Sequence, residues 1–143
     1  MQEIIYIVLI LLLIKIAYID YKQKIIPDGL NLIIALLGIF NLILNYENCK
    51  IYIASTAIVF AVFLFIAIVT DGGIGGGDIK LFTALGLIFG MEILLIIAVT
   101  FSLAAIISLL RVVLKRINMK ERIALAPYIC VGAFICLIKI YIS

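Results

Sequence analysis

Four aspartates, Asp20, Asp28, Asp71 and Asp78, carry most of the chemistry this chain could perform. Its 143 residues include no histidine, which excludes Ser-His-Asp and Cys-His catalysis and an HExxH metal site. The run Gly75-Gly76-Gly77-Asp78-Ile79-Lys80 lacks the spacing of a phosphate-binding Walker loop and the Ser/Thr after its Lys. Cys49, Cys130 and Cys136 form no CxxC pair, so neither a zinc site of the usual Cys/His kind nor any cofactor is expected. Carboxylates remain. Two of them suffice for peptide hydrolysis when they share one proton: the ionised one activates water, and the protonated one donates to the carbonyl oxygen. Asp20 and Asp78 are the candidate pair. Asp20 closes an apolar run, at a helix C-terminus with partial negative charge. Asp78 opens another, where free N–H groups favour an anion, so the helix ends assign the proton to Asp20.

The elements that must position this pair are membrane helices. The chain is 68% hydrophobic and 13% charged, against about 45–50% and about 25% for soluble domains. Its mean hydropathy is +1.43. A soluble fold of this size could not hide that much apolar surface. The fold class expected is therefore an all-α polytopic membrane protein. About six transmembrane helices fit, near residues 4–19, 30–44, 51–69, 79–89, 93–114 and 123–142, in one domain over residues 1–143. The fourth is short, about 17 Å against a hydrocarbon core of about 30 Å, and either stops as a half-helix or runs through Gly90 into the fifth. Short spans beside glycine breaks occur where backbone is buried in protein or lines a cavity. The N-terminus lacks the basic region of a signal peptide, so the first run is expected to be retained.

Lysine and arginine placement sets the orientation. Lys22 and Lys24, then Lys80, then Arg111, Lys115, Arg116, Lys120 and Arg122 alternate with loops holding little beyond Lys50. The positive-inside rule puts that side in the cytoplasm, with both termini outside. All four aspartates then fall at the cytoplasmic edge, in the cell (plasma or inner) membrane. A net charge of +3 is too small to suggest nucleic-acid binding.

Three segments resemble the type IV prepilin peptidases and the related archaeal preflagellin peptidases. Asp20-Tyr21-Lys22-Gln23-Lys24-Ile25-Ile26-Pro27-Asp28 resembles the family's Asp-x-Lys/Arg-x-x-x-Ile/Leu-Pro-Asn/Asp signature. Gly75-Gly76-Gly77-Asp78-Ile79-Lys80 matches its Gly-x-Gly-Asp-x-Lys motif, and Ala126-Pro127-Tyr128 is similar to its late Pro-aromatic segment. The family's second proline there is replaced by Cys130. The resemblance implies an intramembrane aspartic endopeptidase with Asp20 and Asp78 as catalytic residues and Gly75, Gly77, Lys80 and Pro27 as supporting ones. It would cleave the short basic leader of pilin, pseudopilin or archaellin precursors. Bacterial members often begin with a Cys-rich zinc segment and also N-methylate their product. No such segment is present here, so peptidase activity alone is expected. Its partners would be those precursors and membrane lipid, with self-association left open.

Each residue also has a plainer role. Asp20 without its motif would be a juxtamembrane charge. Asp28 is expected to cap the second helix, and Asp71 to form a Thr-Asp-Gly-Gly turn, with a minority reading in which both draw in a basic leader. Lys80 either reaches the interface or balances Asp78. Gly75, Gly76 and Gly77 form either a flexible loop or an edge giving an extended substrate room, with even weight on each. Glu92 has no assigned role, and the cysteines pack as small apolar residues. The competing function is a small transporter or channel with Asp20 and Asp78 as proton or cation ligands, although no internal repeat supports it. A catalytically idle assembly partner is a third.

Overall fold

The computed structural model describes residues 1–114 and 123–143. Lys115, Arg116, Lys120 and Arg122, read above as an orientation signal, lie outside them. Among the described residues there are six α-helices: α1 (Gln2–Gln23), α2 (Asp28–Leu44), α3 (Cys49–Val69), α4 (Gly76–Phe89), α5 (Ile93–Val113) and α6 (Ala126–Ile142).

The bundle runs up and down. Gln2 Nε2 donates to Asn45 Oδ1, joining the start of α1 to the end of α2. Tyr141 Oη donates to Glu3, and Lys139 pairs with Glu92 at 2.6 Å, so α6 is antiparallel to both α1 and α5. Asn31 and Asn41 of α2 reach carbonyls at the two ends of α4, so these helices are parallel. One end of the bundle therefore gathers the C-termini of α1, α3 and α5 and the N-termini of α2, α4 and α6. The most extensive packing links α4 to α2 and α3 on one side, and α6 to α1 and α5 on the other.

At the centre lies α4, although it is the shortest helix. Ile79, Leu81, Phe82, Ala84, Leu85, Ile88 and Phe89 are all buried, and together they cover most of it, leaving the strip of Lys80, Thr83 and Leu87 open. So wide an apolar face suits an inner helix. Phe82 stacks on Phe63 of α3 with centroids 4.8 Å apart, and Tyr6 of α1 stacks on Phe89. A single 3-10 turn, Gly90–Glu92, then reverses the chain into α5. Gly90 has φ +55° and ψ −127°, a conformation open to glycine and closed to side chains, and Tyr52 sits where its Cβ would be. At 14 residues α4 is about 21 Å long, longer than expected because Gly76 and Gly77 join its first turn. Packing overrides the poor helix propensity of glycine there.

Long apolar side chains face outward along α1, α2, α3 and α5, among them Leu11, Leu36, Phe65 and Leu109. Water would oppose that exposure, and lipid favours it. Three stretches are long and apolar enough to cross a bilayer: Gln2–Gln23, Tyr46–Val69 and Gly76–Val113, the last holding the α4–α5 hairpin. Asp28–Leu44 and Ala126–Ile142 are shorter apolar helices. The chain is a multi-pass membrane protein.

Candidate active site

The inward stripe of α1 is Ile5, Leu9, Leu13, Ile16 and Asp20, a spacing of three or four residues that keeps one face on the core. Asp20 ends this apolar stripe and is 4% exposed. Its carboxylate does not go unsatisfied. Oδ2 accepts the backbone N–H of Ala126, buried, at 2.9 Å. Ala126 begins α6 and Pro127 follows in the first turn, where its missing N–H costs nothing. The first N–H groups of a helix lack intrahelical acceptors, and Asp20 supplies one from another helix. That contact gives the Ala126-Pro127-Tyr128 segment a physical role. Lys24 ends α1 in the left-handed conformation at φ 54°, its N–H closing on the Asp20 carbonyl.

Pro27 starts α2. Its fixed φ of −65° and extended ψ make it the residue flanking the helix, and its carbonyl accepts the N–H groups of Leu30 and Asn31. Asp28 therefore lies inside the first turn and makes no capping bond, contrary to the expectation. Its Oδ1 instead pairs with Lys80 Nζ at 2.8 Å, both groups being exposed. The Lys80 partner is Asp28, not Asp78. Just before Pro27, Ile26 is buried against Gly77, where an added Cβ would lie 3.0 Å from that of Ile26.

The glycine run is largely helical and not a loop. Gly75 is extended and flanks α4, while Gly76 and Gly77 are helical, and none of the three has positive φ. Their need for glycine is steric and unequal. A Cβ on Gly75 would stand 2.9 Å from Asp78 Oδ2, one on Gly77 would meet Ile26, and one on Gly76 would meet nothing. Asp78 itself is half-buried, and its Oδ1 is enclosed with no hydrogen-bond partner. It stands within electrostatic range of Asp20 across the core. The helix ends point to Asp78 as the carboxylate served by free N–H groups, yet the buried N–H of Ala126 goes to Asp20.

Asp71 lies apart from this pair. It and Gly72 are both left-handed, at φ 52° and 87°, and Gly73 N–H donates to Thr70 Oγ1, so this is the turn its sequence predicts. A groove of about 450 Å³ between α2, α3 and α4 is lined by Lys80, Thr83, Ala84 and Leu87, the face of α4 pointing away from Asp78. The sequence reading missed Asn31, whose Nδ2 donates to the Gly77 carbonyl at 3.1 Å and which is 4% exposed. A polar residue in an apolar helix was the available signal. Among the described residues no group of side chains could hold a metal ion.

The all-helical bundle places two inward aspartates, Asp20 and Asp78, at one end. Residues 7–110 match the type IV leader peptidase family, and the chain belongs to that family. It is 32% identical over 124 residues to the prepilin peptidase EppA of Methanocaldococcus jannaschii, covering 79% of this chain and 34% of that protein. It is 30% identical over 134 residues to the prepilin leader peptidase/N-methyltransferase of Bacillus subtilis, covering 90% of this chain and 53% of that one. The chain thus spans between a third and about half the length of these curated relatives. No solved structure matches it.

Proposed function

We propose that the protein is an intramembrane aspartic endopeptidase, acting as one transmembrane unit on the short basic leader of prepilin-like precursors at the cytoplasmic face of the cell membrane. Asp20 and Asp78 are the catalytic pair, and six crossings deliver them to that face. The observation that carries this reading is their placement: two acidic side chains on different helices, the end of α1 and the start of α4, at the same end of the bundle, Asp20 buried and Asp78 Oδ1 enclosed. Ionisable groups at such depth are costly, and they mark functional sites.

The chemistry is general acid–base hydrolysis. One carboxylate takes a proton from water as its oxygen adds to the scissile carbonyl carbon. The other, protonated, gives its proton to the carbonyl oxygen. Collapse of the tetrahedral intermediate breaks the C–N bond: the amine leaves with the proton that water surrendered, and a diol hydroxyl returns its proton to the carboxylate that had given one. The pair titrates as a unit, so neither role belongs permanently to one residue. Gly75 keeps Asp78 Oδ2 unobstructed, Gly77 lets α4 close on Ile26, Pro27 starts α2, and Lys80 ties α2 to the start of α4 through Asp28. Exposed Asp71 at the same end adds negative potential for a basic leader, while the charge of Asp28 is balanced by Lys80.

The test is co-expression with a membrane substrate carrying a short basic leader, a glycine and an apolar helix. Shortening of the substrate that disappears in both Asp20→Asn and Asp78→Asn supports the reading. Intact substrate together with ion flux dependent on the aspartates would replace it with the transporter.

A further inference from the structure

We propose that Asn31 is a positioning residue for Asp78, which it serves by holding the peptide group between Gly77 and Asp78; this rests on Asp78 belonging to the hydrolytic pair. A peptide group is planar, so fixing its two ends fixes its plane and the Cα that follows. Here both ends are held. The Gly77 carbonyl accepts Asn31 Nδ2 at 3.1 Å, and the N–H of Asp78 donates to the Gly75 carbonyl at 3.0 Å. The assignment of the amide follows from chemistry, since a carbonyl faces a donor and only the nitrogen of Asn31 can donate. The Cβ of Asp78 leaves from that anchored Cα, so the bond from α2 bears directly on where the carboxylate stands. Ile26 packs on the same turn but constrains only the neighbouring Cα, without directing the peptide plane.

A second asparagine on α2 shows what a purely architectural bond of this kind looks like. Asn41 Nδ2 donates to the carbonyls of Leu87 and Ile88 at the far end of α4, and its Oδ1 accepts Asn45 Nδ2 at 3.1 Å. Both halves of its amide are used. Asn31 is as buried, yet its Oδ1 has no partner, which it shares among the described residues with Asp78 Oδ1. At the active end only the nitrogen of the amide is engaged, and its one bond is to the peptide group that leads into Asp78.

The experiment compares Asn31→Leu, Asn31→Asp, Asn31→Ala and Asn41→Leu in the purified full chain cleaving a leader-bearing substrate, alongside Asp20→Asn and Asp78→Asn. Expected for the Asn31 variants is a kcat lower by about tenfold to a hundredfold with KM nearly unchanged, since small displacements of a reacting group cost rates of this order. Asn31→Asp keeps the shape and removes the amide donor; its own carboxyl band is subtracted with Asn31→Asp combined with Asp78→Asn. The neutral Asn31→Ala, which has no donor and adds no charge, carries the test if Asn31→Leu does not fold. Asn41→Leu is expected to lower Tm and leave kcat per folded molecule unchanged. A second readout needs no turnover: the infrared carboxyl band of Asp78, identified by its loss in Asp78→Asn, is expected to shift in the Asn31 variants and stay in place in Asn41→Leu. Wild-type kcat and an unmoved band in the Asn31 variants would overturn the proposal. Persistent cleavage in Asp20→Asn or Asp78→Asn would overturn the assignment of the catalytic pair instead, and uncleaved substrate with every variant and the wild type would overturn the peptidase reading.

Discussion

Asp20 Oδ2 accepts the backbone N–H of Ala126 at 2.9 Å, joining the end of α1 to the beginning of α6 across 106 positions of sequence. The side chain therefore has a structural duty separable from any catalytic one. Asp20→Asn retains an oxygen that can accept the same N–H, whereas Asp20→Leu leaves a buried donor unpaired. Both are expected to abolish cleavage. Thermal or denaturant unfolding is expected to show Asp20→Leu less stable than Asp20→Asn by about 1–3 kcal/mol. Equal stabilities would mean that the contact contributes nothing.

Asp78 Oδ1 has no such bond to lose. Asp78→Asn is accordingly expected to fold as well as the native chain while its cleavage rate falls by about a hundredfold or more, the range assigned to a lost acid–base group. Substrate shortening on gels and Tm of the same preparation check this together. A destabilised but active Asp78→Asn would contradict both halves.

The glycines before Asp78 are expected to rank in a definite order. Gly76→Ala meets open space in a helical position, and it is expected to be neutral or to stabilise by up to about 1 kcal/mol. Gly77→Ala presses on Ile26 and is expected to cost about 1–3 kcal/mol, as overpacking does. Gly75→Ala meets the movable end of the Asp78 carboxylate, so activity falls with little change in stability. Parallel unfolding and cleavage measurements on the three variants separate these outcomes; three equal losses would contradict the steric account.

Lys80 and Asp28 form an exposed pair, so their coupling in a double-mutant cycle of Lys80→Met and Asp28→Asn is expected to stay below about 1 kcal/mol. Cleavage by Lys80→Met is expected to persist. Collapse of activity in Lys80→Met with Asp28→Asn unaffected would restore the reading in which this lysine serves Asp78.

Much of the arrangement was legible in the chain itself. Apolar runs broken by charged or glycine-rich segments located all six helices, and alternating lysines gathered the four aspartates at one end. The start of α4 was not legible, because three successive glycines read as a loop until Ile26 is seen resting on Gly77. The partner of Asp20 was hidden for another reason. A backbone N–H has no residue type, and only Pro127, two positions inside α6, hinted that unsatisfied donors lay nearby. Asn31 escaped because the cost of burying polarity in an apolar helix was applied to charges and not to amides. Applied evenly, that rule selects Asn31 and Asn41 together.

Those two asparagines hold α4 like rungs at its head and foot, ten residues apart on α2 (41 less 31). A piston stroke of α4 along its own axis would break both rungs at once, and the Lys80–Asp28 pair with them. The carboxylate on α4 is thus fixed in height against α2, just as that on α1 is fixed against the first turn of α6.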